Sequence, residues 1–254
     1  MMKQYMLVVF GLILIGCNSA KRTLASKGIP YTPDSLITAA RRGDTGTVRQ
    51  FLQAGICQTQ GVCGKALGQA AYAGHADTVD AILATDTFDP SQSDLSAALI
   101  EATNGDHAAI AKVLIDAGAT ADSRDAQRAL INAIFLNHTD TVRALLDAGA
   151  NPDARLPNLQ FTLLTLAAVH GHADIAKALI DDGADVDAKS QTGDTALGLA
   201  ACAGNSAVVD YLIKGDADFN VKDSQGRTAL DLCRFNTCHC DEQIVAILIK
   251  GTQP

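Results

Sequence analysis

Along most of this chain, apolar and polar residues alternate in a pattern that returns every 31 to 34 residues. The stretch "TLLTLAAVHGHADIAKALIDDGADV", which begins at Thr162, shows the unit. Its apolar residues fall at three- and four-residue spacing on two short runs, separated by Gly171-His172. That spacing predicts two short helices joined by a tight turn. In the first run Leu166 is followed by the small pair Ala167 and Ala168. Small residues recur at Ala39, Ala70, Ala102, Ala133, Ala167 and Ala200, which lets neighbouring first helices approach closely. Gly118, Gly149 and Gly183 follow the second run and suit a left-handed helix C-cap. One such pair has too little apolar surface to fold alone and needs stacked neighbours.

Comparable units begin at Asp34, Lys65, Ala97, Arg128, Thr162, Thr195 and Thr228. The period, the L-x-x-A core, the Gly-His turn and endings such as "LIDDGA" resemble the ankyrin repeat. The resemblance implies an all-α solenoid of about seven helix-turn-helix units with short loop fingers, over residues 34–254. No unit has proline after its threonine, the second ends "AILATDTF" without glycine, and the seventh carries an insertion around "TCHCDEQ". The core position of the first helix reads Thr38, Gln69, Glu101, Asn132, Leu166, Leu199 and Leu232. It is expected to be partly solvated in the polar units.

Ahead of the repeats, Lys3 precedes an apolar run from Tyr5 to Gly16. A spanning helix needs about 20 apolar residues, whereas a charged start and short apolar centre read as an export signal. Leu14-Ile15-Gly16-Cys17 resembles the bacterial lipobox, which implies cleavage after Gly16 and lipidation of Cys17. Asn18 stands where inner-membrane lipoproteins usually have aspartate, so the resemblance favours the periplasmic face of the outer membrane. Residues 1–16 are then a cleaved leader. Residues 17–33, with no periodicity and with Gly28, Pro30 and Pro33, read as a lipidated tether.

Charge narrows the partners. The chain has 20 basic and 28 acidic residues, and loss of the leader removes only Lys3, leaving a net of −9. Nucleic acids and anionic lipid surfaces need clustered cations, and the obvious basic cluster among the repeats, Arg41-Arg42, is no more than a pair. The expectation is no nucleic acid, contact with the bilayer through the N-terminal lipid only, and a monomer that binds a protein.

With Cys17 lipidated, Cys57, Cys63, Cys202, Cys233, Cys238 and Cys240 remain. An even count after export favours disulfides. Cys57 and Cys63 bracket the loop between the first two units and are expected to pair. Cys202 is expected to join Cys238 or Cys240. The competing reading is a metal or redox site, since Cys233, Cys238, His239 and Cys240 are good ligand types, although their spacing is not the C-x2-C of zinc folds. His75, His107, His138 and His172 recur in the turn and read as structural, so no metal or cofactor is expected. The chain lacks a G-x-S-x-G elbow, a phosphate loop and H-E-x-x-H, and no enzyme activity is expected.

In ankyrin repeats the two positions after the small pair, and the loop tips before the threonine, face partners on the concave side. Carried over by position, these are Arg41, Arg42, Tyr72, Phe135, Leu136, Val169 and Phe235, with Leu159 and Phe161 at one tip. The reading is a membrane-anchored, non-enzymatic binding module, for example an immunity protein that neutralises a toxic effector such as a lipase. An accessory protein supporting an envelope enzyme such as a catalase is the alternative.

Overall fold

The computed structural model describes residues 18–59, 61–120, 124–156, 161–234 and 239–251. All seven repeats are helix pairs, and the chain divides between Thr120 and Ala121 into two compact blocks. The N-terminal block opens with helix α1 over 18–26. It continues with α2 (Pro33–Arg41), α3 (Thr45–Gln53), α4 (Val62–Tyr72), α5 (Ala76–Leu83), α6 (Gln92–Asn104) and α7 (Ala108–Asp116). The C-terminal block comprises α8 (Arg124–Phe135), α9 (Thr139–Asp147), α10 (Leu163–His170), α11 (Ala173–Asp181), α12 (Ala196–Ala203), α13 (Ser206–Lys214), α14 (Ala229–Cys233) and α15 (Glu242–Gly251).

Within each block, first helices stack on first helices and second on second. α4 lies between α2 and α6, and α12 lies between α10 and α14, while α11 lies between α9 and α13. In six of the seven first helices a leucine at one shared position helps to hold the stack. Leu36, Leu67, Leu99, Leu130, Leu164 and Leu197 are almost completely buried, each followed three residues later by the buried alanine that admits the next helix. Burying such a leucine contributes about 1.5 to 3 kcal/mol.

Helix starts follow from local chemistry. The hydroxyls of Thr32, Ser91, Thr162, Thr195 and Thr228 accept hydrogen bonds from the amides of Ser35, Asp94, Thr165, Gly198 and Asp231. Each satisfies an amide that the helix leaves unpaired. Among the first helices whose N-caps are described, α4 alone starts with no side-chain cap, after Gly61. Helix ends use left-handed glycines, as at Gly149 (φ 87°) and Gly183 (φ 90°).

Two expectations change. Residues 18–33 are not a tether in this structure, because α1 buries Ala20 and Leu24 against the first repeat. Tyr31 then stacks on Phe51, centroids 5.7 Å apart, and its hydroxyl donates to the Ala54 carbonyl at 2.8 Å. Two apolar residues four apart are too few to stand out as a period, yet they cover the exposed end of a stack. The variable core slot is half-buried at Thr38, Gln69, Glu101 and Asn132, as expected, but also at Leu199 and Leu232. Only Leu166 is fully enclosed there, at 4% exposure. No helix among the described residues is long and apolar enough to cross a membrane.

Candidate protein-binding surface

From α2 to α12 each first helix ends one or two residues beyond its buried pair, so the next side chains leave the core at the helix C-terminus. Five large hydrophobic side chains are exposed among the described residues: Tyr72 (50%), Phe135 (48%), Leu136 (51%), Val169 (39%) and Ile249 (38%). The first four occupy these helix-end positions, and Ile249 lies on α15. Arg41 and Arg42 are exposed at the end of α2. Phe161 is half-buried, and its carbonyl accepts from the Leu156 amide at 2.9 Å beside an antiparallel bridge between Arg155 and Thr162. Cys17, Leu159, Phe235 and Cys238 lie outside the described residues.

In the C-terminal block the exposed side chains gather around a histidine. The Phe135 ring meets His170 edge to face at 5.4 Å, and His170 stacks on His172 at 5.6 Å. Phe135, Leu136, Val169 and His170 thus form a patch at the ends of α8 and α10. His170 stands at the same helix-end position as Leu136, but it was not among the expected partner-binding residues, and its contact with Phe135 comes from the preceding repeat.

The turns beneath this surface are built from one repeat to the next. His75 and His107 each place Nε2 3.1 Å from a carbonyl of the preceding first helix, Arg41 and Tyr72 respectively. Asn205 does the same with its amide, donating to the Ala168 carbonyl at 2.7 Å. Gly74 is required here because its φ is +80° and a Cβ would lie 2.5 Å from the His107 ring. His172 departs from the pattern. Its Nε2 is buried and has no hydrogen-bond partner among the described residues. Burial, and then the neighbouring His170, hold its pKa below the ordinary histidine value.

The described disulfides bear out one expected pairing and narrow the other, in which Cys202 was to join Cys238 or Cys240. Cys57 and Cys63 form a disulfide, Cα atoms 5.3 Å apart, as their loop position predicted. Cys240 bonds Cys233, also at 5.3 Å, rather than Cys202. Cys233 ends α14 and Cys240 stands just ahead of α15, so the partner is in the same repeat. Cys202 is disulfide-bonded as well. The Cys233–Cys240 bond consumes two of the ligands that a metal reading needs. Among the described residues no group of three or more histidine, cysteine or carboxylate side chains is placed to hold an ion.

Cavities are shallow clefts. One of about 350 Å³ lies across α2, α4 and α6, lined by Ile37, Lys65, Gly68, Gln69 and Glu101 among others. It is open at the polar core slot.

Comparison with known proteins agrees with this architecture. A family model described as ankyrin repeats (3 copies) matches residues 67–155, 99–190 and 164–254. The crystal structure of the human ASB11 ankyrin repeat domain is similar, with a TM-score of 0.65 and 24% sequence identity. The match covers 86% of this chain and 98% of that one. No curated protein sequence matches. Its repeats serve as a protein-interaction scaffold in this family, and the chain belongs to the ankyrin repeats.

Proposed function

We propose that this chain is a non-enzymatic protein-binding module of the bacterial cell envelope, anchored by lipid on Cys17 after cleavage behind Gly16. Fold alone does not assign a role, so the proposal rests on one observation. Four of the five exposed large hydrophobic side chains among the described residues stand at first-helix ends, where ankyrin repeats meet partners. Aromatic and large apolar residues in such positions anchor interfaces. The patch of Phe135, Leu136, Val169 and His170 suits an apolar or aromatic protrusion on a folded protein. The anchor is supported by the lipobox-like LIGC after a short apolar run.

Capture from envelope extracts tests the reading. The double variant Phe135→Ser, Leu136→Ser removes two exposed side chains and should leave thermal unfolding nearly unchanged. It should weaken capture of the partner at least about tenfold. Undiminished capture would remove the patch as the site. The identity of the captured protein separates an immunity role, with a toxic effector such as a lipase, from support of an envelope enzyme such as a catalase.

A further inference from the structure

The chain's charge is divided very unequally. Helices α1 to α3 and their connections, residues 18–53, contain Lys21, Arg22, Lys27, Arg41, Arg42 and Arg49 against only Asp34 and Asp44. From residue 54 onward, 13 basic residues face 26 acidic ones. The six cations are scattered along the sequence, but the fold gathers their helices into one end of the N-terminal block. Lys21 places its ammonium 4.6 Å over the Tyr31 ring, and Tyr31 is fixed to α3 through Phe51 and the Ala54 carbonyl. Arg42 lines a cleft with the Gly28–Pro30 turn, which follows Lys27 directly.

All six cations are exposed, and none forms an ion pair within 4.0 Å among the described residues. Asp44 caps α3 by accepting from the Thr47 amide at 2.9 Å and stays charged, so six cations stand against two carboxylates, Asp34 and Asp44. We infer that this end of the molecule docks on an anionic phospholipid surface, with Lys21, Arg22, Lys27, Arg41, Arg42 and Arg49 facing the headgroups.

The choice of occupant follows from what the surface lacks. No large hydrophobic side chain is exposed between residues 18 and 54, so the end has no anchor of the kind that holds a protein partner. Tyr31 is committed to Phe51, which leaves no free ring on which bases of a single strand could stack. A spread of cations without apolar anchors suits a field of headgroup charges. The same field repels the acidic remainder of the chain and so orients the molecule on the bilayer. Averaging over the whole sequence conceals this end, which is why the net charge alone argues against anionic surfaces.

Amine acetylation of the full chain tests the inference on vesicles of phosphatidylcholine alone and of phosphatidylcholine mixed equally with phosphatidylglycerol. Lys21 and Lys27 should label several-fold more slowly on the anionic vesicles, while Lys65 and Lys112 are unchanged. Salt at about 1 M, where the screening length is about 3 Å, should abolish the difference. The triple variant Arg41→Glu, Arg42→Glu, Arg49→Glu should lose the protection without a change in unfolding, because all three side chains are exposed. Equal labelling of Lys21 and Lys27 on the two vesicle types would overturn the inference, as would protection by an acidic protein or by nucleic acid but not by anionic vesicles. Loss of the Cys17 anchor appears separately, as failure to sediment with phosphatidylcholine alone. Even then the charged surface should still bind the anionic vesicles.

Discussion

The loops between repeats are closed by different chemistry in the two blocks. In the C-terminal block they are joined in series by carboxylate-to-amide bonds. Asp153 accepts from the Asp185 amide at 2.9 Å, and Asp187 accepts from the Asp218 amide at 3.0 Å. Arg155 and Lys189 extend the series by donating to the carbonyls of Lys189 and Lys222. In the N-terminal block the loop before α4 has no such residues, and α4 starts without a side-chain cap. There the Cys57–Cys63 disulfide spans the loop, with Cys63 buried in the first turn of α4. The comparison teaches that a repeat array tolerates loss of its usual loop residues when a local crosslink limits the unfolded chain instead. The free end of the N-terminal block is likewise covered by a short added helix, α1, rather than by a further repeat.

The largest effect should come from the core slot within the C-terminal block. Leu166→Glu places an uncompensated charge in an enclosed site and should cost about 3 to 5 kcal/mol. Leu199→Glu, at the equivalent but half-buried position, should cost about 1 kcal/mol. Urea unfolding of both variants checks this, and equal losses would mean that the slot is enclosed in both repeats.

Reduction of the Cys57–Cys63 loop, or Cys63→Ser, should lower stability by about 2 kcal/mol in a chain-entropy account. Hydrogen exchange should quicken most across the start of α4. Exchange that quickens equally in the C-terminal block would break the contrast between the two loop chemistries.

A smaller effect separates the turns by pH. His172 has a native pKa below its unfolded value, so the unfolded chain binds the proton first as pH falls through about 6.5. Stability of the C-terminal block should therefore decline from about pH 6.5 down to the lowered native pKa, then level off with respect to this group. His172→Asn should remove that portion of the slope while the rest of the pH profile remains.

Much of this architecture is legible in the sequence because its signals repeat. Period, alanine pairs, turn histidines and threonine caps each occur several times, and Tyr72, Phe135, Leu136 and Val169 could be marked as helix-end residues by position alone. Features that occur once were not legible in the same way. Two apolar residues in α1 set no period. The Cys233–Cys240 pairing spans one insertion that no other repeat shares. The edge-to-face contact of His170 with Phe135 joins two repeats and has no counterpart in the repeat pattern, and the basic end becomes a surface only when α1 packs on the first repeat.

The central claim is that the first-helix ends, and not some other exposed apolar residue, meet a protein partner. A photo-crosslinking side chain introduced at Leu136, and in a second variant at Ile249, tests it in living cells that make the protein. Ile249 is the built-in control, since it is a large exposed hydrophobic residue away from the first-helix ends. The account predicts a discrete crosslinked partner from position 136 that is absent from position 249. The same adduct from both positions, or an adduct from 249 alone, would contradict it.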